Sequence, residues 1–120
     1  MDTNTFPLNP GQRSPCPIAN TLDILGDKWT LLIVRDMLRN GKKRYGDFLN
    51  SKEGIRTNIL ADRLRRLQEH DIVEKKQYRH NPVRYEYELT PKGRDLEQLL
   101  NAAIECGLKH LPNVTLPPSK

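Results

Sequence analysis

Thr57-Asn58-Ile59-Leu60-Ala61-Asp62-Arg63-Leu64-Arg65-Arg66-Leu67 is followed by Ile72-Val73-Glu74-Lys75-Lys76-Gln77-Tyr78, a turn through Arg79-His80-Asn81-Pro82, and Val83-Arg84-Tyr85-Glu86-Tyr87-Glu88-Leu89. The first stretch reads as a short basic amphipathic helix. At about 100° per residue, Leu60, Leu64 and Leu67 form an inward stripe, while Asn58, Asp62, Arg65 and Glu69 centre on the opposite side. Thr57 stands where a hydroxyl would cap the helix. In the second strand Val83, Tyr85, Tyr87 and Leu89 share one face, and Arg84, Glu86 and Glu88 the other. The first strand alternates poorly, so its limits are loose. A basic helix followed at once by a basic hairpin is how a small protein addresses a DNA groove together with the flanking backbone.

Upstream, Pro17 opens a short helix in which Ile18, Leu22 and Leu25 fall on one side and Gly26 ends the run. A second helix is expected from about Asp27 to Arg39. Its Trp29, Leu31, Leu32, Ile33, Val34, Met37 and Leu38 cover most of its girth, as in a buried central helix, and Asn40-Gly41 stops it. A brief helix follows around Tyr45 to Asn50, with Phe48 and Leu49 turned inward. Thr90-Pro91 begins a last helix running to about His110, whose apolar stripe (Leu96, Leu99, Leu100, Ala103, Ile104, Gly107, Leu108, Leu111) is wider than so small a domain covers alone. Residues 1–15 read as a flexible arm, 16–111 as one domain and 112–120 as a non-helical tail containing Pro112, Pro117 and Pro118. Four helices, a hairpin and a helix make a mainly α fold with a small β-wing: a winged helix-turn-helix with an added C-terminal dimerisation helix.

Composition narrows the function. The 120 residues make one domain with a modest core, and 36% hydrophobic against 29% charged is lean for a self-sufficient monomer, which points to a partner. The net charge is +5, yet residues 39–84 hold thirteen Lys and Arg against six Asp and Glu, a local +7. Double-stranded DNA is the simplest polyanion to meet such a patch. No run approaches a membrane span and the N-terminal stretch lacks an apolar core, so a cytoplasmic setting without membrane contact is expected. Two cysteines, Cys16 and Cys106, form no disulfide framework. Cys106 and His110 stand four apart, but two ligands do not make a metal site. With no phosphate-cradling glycine motif, nucleophile elbow or carboxylate pair, neither catalysis nor a cofactor is expected.

Cys16-Pro17, Leu22-Asp23-Ile24-Leu25-Gly26-Asp27-Lys28-Trp29-Thr30-Leu31-Leu32-Ile33, Arg44-Tyr45-Gly46-Asp47-Phe48-Leu49, Ile59-Leu60-Ala61-Asp62-Arg63-Leu64 and Tyr85-Glu86-Tyr87-Glu88-Leu89-Thr90-Pro91-Lys92-Gly93 resemble the HxlR-type branch of bacterial transcriptional regulators. The likeness runs from Cys16 to about His110. It implies a homodimeric, MarR-like winged-helix protein on a short inverted repeat, repressing or activating nearby genes, with dimer contacts through the first and last helices. Where many relatives carry an aromatic before a glycine in the last helix, this chain has Cys106-Gly107.

For groove contact the expected residues are Arg56, Thr57, Asn58 and Arg65, since Arg matches guanine and Asn matches adenine by bidentate geometry. The plainer alternative has Thr57 and Asn58 only capping the helix. Arg63 flanks the leucine stripe, where an internal ion pair competes with DNA. Arg44 is expected on phosphate, and Arg79 and Arg84 at the hairpin tip on backbone or minor groove. Cys16 lies at a helix N-terminus, where positive partial charge favours a thiolate. Several HxlR-like regulators sense oxidants or electrophiles with a cysteine near this place, so the resemblance implies a regulatory role. The plain reading is a small buried hydrophobe. Two rivals of other classes are a thiol-based redox protein and a protein-interaction module on a winged-helix scaffold.

Overall fold

A computed structural model describes residues 7–118. The order of elements is α1 (Pro17–Leu25), α2 (Thr30–Asn40), α3 (Tyr45–Phe48), α4 (Thr57–Glu69), β1 (Val73–His80), β2 (Val83–Leu89), α5 (Pro91–Arg94) and α6 (Leu96–His110). The first six residues of the expected arm lie outside the described residues. Its end is tied to α1: Arg13 pairs with Asp23 at 2.6 Å, and the Asn20 amide donates to the carbonyls of Ser14 and Cys16.

The second helix starts three residues later than the spacing suggested, because Asp27 works as its cap. The Asp27 carboxylate accepts from the backbone N–H groups of Trp29 and Thr30, each at 3.1 Å, and from the Thr30 hydroxyl. A carboxylate that satisfies these orphan donors lies outside the helix it caps. At the other end Gly41, with φ 64°, adopts the left-handed conformation that suits glycine and returns its N–H to the Asp36 carbonyl.

Ile33 and Val34 of α2 meet Phe48, Ile55, Leu60, Leu64, Leu67, Ile72, Val73 and Tyr87 in one core. The three α4 leucines are buried, as their spacing required, and each contributes roughly 2 kcal/mol of apolar transfer. Leu49 is a correction: α3 ends at Phe48, so the helical phase that would turn Leu49 inward is lost and its side chain is exposed. Asp36 was not anticipated in the core. It is 1% exposed and accepts hydrogen bonds from Arg35, Asn40 and Ser51, with the Lys42 ammonium at 3.4 Å. A charge is tolerated there because it is paired and hydrogen-bonded all round.

The wing is an antiparallel hairpin whose strands run to His80 and from Val83, leaving Asn81-Pro82 as the turn. The register shifts between Gln77 and Arg79, so Tyr78 is the extra residue of a bulge. β1 alternates badly in sequence because, after Val73, it is exposed on both faces. The wing is fastened at its base by a hydrogen bond from the Tyr87 N–H to the Lys43 carbonyl, 2.7 Å, and by an edge-to-face contact of Tyr87 with Phe48. After it, Thr90 caps α5 by accepting from the Gly93 N–H. A Cβ on Gly93 would lie 2.2 Å from the Ile72 carbonyl oxygen, so only glycine allows this approach. The expected single last helix is two, broken at Asp95.

Candidate nucleic-acid interface

Arg56 is the N-cap residue of α4, and Thr57 and Asn58 are its first two helical positions. All three are exposed. Arg56 and Asn58 have no side-chain hydrogen bond or ion pair among the described residues. Their polar groups are available to a ligand at a helix N-terminus, which itself favours anions. Thr57 differs from expectation in its bonding. Its hydroxyl does not cap the helix; it meets the Tyr45 hydroxyl at 2.5 Å, while Tyr45 also donates to the Thr57 carbonyl at 2.6 Å. Tyr45 thus fastens α3 to the first turn of α4, a role the sequence reading missed.

Arg65 lies on the outward side of α4 but is not solitary. Its guanidinium donates to Asp62 and to Glu69, both at 2.6 Å. The pairing was legible from spacing, since these carboxylates stand three residues before and four after it. For Arg63, where an internal ion pair competed with DNA, the ion pair is what the structure shows: it bonds Asp27 at 2.8 Å and also Asp62. The outward side of α4 therefore carries little net positive charge beyond its first turn. The excess sits on the flanks.

On one flank, Arg44 immediately precedes α3, stacks over the Tyr78 ring at 4.5 Å and approaches Glu86 at 3.6 Å. Over half of the Arg44 side chain stays exposed, so it remains open to a phosphate. On the wing, Arg79 and Arg84 are cross-strand partners, exposed, and without a carboxylate partner among the described residues. Lower on the hairpin, Lys76 bonds Glu88 at 3.0 Å and Lys75 lies over the Tyr85 ring at 4.4 Å. Lys76 is thus paired with carboxylates lower on the hairpin, whereas Arg79 and Arg84 at its tip are not.

Residues 24–115 match the family model described as HxlR-like helix-turn-helix. The chain belongs to the HxlR-like helix-turn-helix family. This HxlR-like chain is 37% identical over 92 residues to an HTH-type transcriptional regulator of Synechocystis sp., a match spanning 77% of this chain and 67% of that one. Among solved structures it is similar to PA1607, described as a candidate transcription factor, with a TM-score of 0.78 and 39% identity over 88% of this chain and 74% of that one. It is also similar to the redox regulator HypR in its reduced form, with a TM-score of 0.73 and 31% identity, covering 81% of this chain and 95% of HypR.

Cys16 of the HxlR-like chain is at the N-cap of α1 and exposed, which overturns the reading of it as a buried hydrophobe. Cys106 is exposed as well. Among the described residues no cluster of three metal-ligating side chains occurs, and no helix is long and apolar enough to cross a membrane.

Proposed function

We propose that this HxlR-like protein regulates transcription by binding an inverted-repeat operator in double-stranded DNA as a homodimer. The observation that carries the reading is the pair of unneutralised cationic ends, the first turn of α4 and the tip of the wing, on one winged helix-turn-helix. Arg56, Thr57 and Asn58 enter the major groove, with Arg65 further along the same side; Arg44 holds phosphate; Arg79 and Arg84 reach adjacent backbone or minor groove. The protein acts by binding, in the cytoplasm, and needs no cofactor.

The homodimer is supported by apolar surface that one subunit leaves uncovered. Ile18 and Leu22 of α1 and Leu99 and Leu108 of α6 are 70%, 55%, 41% and 47% exposed. Of α6, Leu100 is buried and Leu96 packs against the core, while Leu99 and Leu108 stay exposed. Two-fold pairing through these helices sets two α4 helices about one DNA turn apart.

Cys16 is the regulatory residue in this reading: an exposed thiol at the start of a dimer-forming helix, whose oxidation or modification by an electrophile changes operator affinity. The likeness to a redox regulator supports it. Selection of duplexes from a random pool, run on reduced and on oxidised protein, tests the whole proposal. Enrichment of a dyad-symmetric sequence is expected, with weaker or stronger retention after oxidation. Failure to enrich any sequence would remove the DNA-binding reading, and enrichment indifferent to oxidation would remove the role of Cys16.

A further inference from the structure

Five charged side chains alternate in sign from the start of α2 to the outward side of α4. Asp27 is fixed by three donors at the N-terminus of α2. Its Oδ2 accepts from Arg63 Nε at 2.8 Å; Arg63 Nη1 donates to Asp62 Oδ2 at 2.5 Å; Asp62 Oδ1 accepts from Arg65 Nη2 at 2.6 Å; and Arg65 Nη1 donates to Glu69 at 2.6 Å. Exposure rises along the series, from about a fifth at Asp27 and Arg63 to more than half at Arg65. An isolated surface pair such as Asp62–Arg65 fluctuates and contributes little. This one is anchored, because the planar Arg63 fork holds two carboxylates at once and one of those is locked as a helix cap.

From this juxtaposition we infer that Asp27 is a positioning residue for base reading, acting through Arg63 and Asp62 on the guanidinium of Arg65. The inference rests on the DNA-binding reading above and adds a residue that touches no DNA. Two of the five Arg65 N–H donors are engaged by Asp62 and Glu69, which leaves donors for a base edge while fixing the plane of the group. A side chain already held in place loses less entropy on contact, so the anchor favours the matched base over random sequence. Arg65 released from Asp62 would follow phosphates instead, which all sequences offer alike.

The test uses the full chain, a selected operator and a random duplex of equal length. Asp27→Asn keeps the cap, since Asn accepts at an N-cap as well as Asp does, but removes the charge that holds Arg63. The ratio of operator to random affinity is expected to fall by about tenfold, the scale of one lost base contact, with random binding unchanged. Arg63→Lys, which cannot span both carboxylates, should do the same and guards against a folding defect in the first variant. In an Arg65→Ala background, Asp27→Asn should no longer move the ratio. An unchanged ratio, an equal fall for both duplexes, or a fall of the same size without Arg65 would each overturn the inference. A wild-type protein that binds no duplex would instead overturn the DNA-binding reading itself.

Discussion

Arg79 and Arg84 face each other across the hairpin, one on each strand, at the last paired positions but one before the turn. Like charges directly opposite cost a sheet roughly 0.2–1 kcal/mol, and no carboxylate among the described residues offsets them. The arrangement makes sense when a polyanion lies against the tip. Arg84→Gln should therefore leave the melting temperature level or slightly raised while weakening DNA binding for every sequence. The slope of log affinity against log salt should drop by about 1 per arginine removed. A titration series across salt concentrations checks both parts, and a lowered melting temperature with intact DNA binding would contradict them.

Asn58 should behave in the opposite way. Exposed at the second position of α4 and free of internal partners among the described residues, it suits an adenine edge. Asn58→Ala should cost about 1–3 kcal/mol on the selected operator and relax preference at one base pair in each half-site, with random-duplex affinity unchanged. Competition assays with single-base operator variants measure this. Uniform loss at all positions would assign Asn58 to the backbone.

Leu22→Glu in α1 and Leu99→Glu in α6 place a charge on surface that is 55% and 41% exposed in one subunit. Each should leave the subunit folded, since little internal packing is lost, yet halve the mass seen by sedimentation. Operator affinity should fall at least a hundredfold as the two-site contact is lost. A dimer that persists in both variants would move the interface elsewhere.

Acid should loosen the loop that precedes α4. Arg35 holds Glu53 through paired hydrogen bonds at 2.8 and 2.9 Å, and this guanidinium keeps the Glu53 carboxyl at about 2, below its ordinary 4.5. Because the folded value is the lower one, the pair stabilises the fold fully above about pH 4.5, and the contribution is lost as pH falls towards 2. Glu53 is partly exposed, which limits the effect to about 0.5–1 kcal/mol. Urea unfolding at pH 6 and pH 3 should show a smaller acid-induced loss in Glu53→Gln than in the wild type. Equal losses would mean that the pair is screened out by solvent.

Periodicity carried most of the architecture. The leucine stripe of α4, the Pro17 start and the Asn40-Gly41 stop all appear at the residues where spacing put them, because each depends on neighbours within a turn or two, whereas on the apolar side of β2 only Tyr87 is buried and Val83 and Tyr85 are exposed. The slips fell mainly at element ends, which a side chain two or three residues away decides: Asp27 lies outside α2 and caps it, and Leu49 lost its phase when α3 ended after one turn. The close approach of Gly93 to the Ile72 carbonyl depends on a group far away in sequence and was not legible.

The same division holds at the candidate interface. The identity and density of the cations, the order in which helix and hairpin present them, and the pairing of Arg65 with Asp62 and Glu69 within one helix are written in the chain itself. Tertiary structure decided the rest: it tied Thr57 to Tyr45, joined Arg63 to Asp27, stacked Arg44 on Tyr78 and left Arg79 and Arg84 opposed. Charge is a property of a residue, but neutralisation depends on distances of a few ångströms between side chains that folding alone brings together.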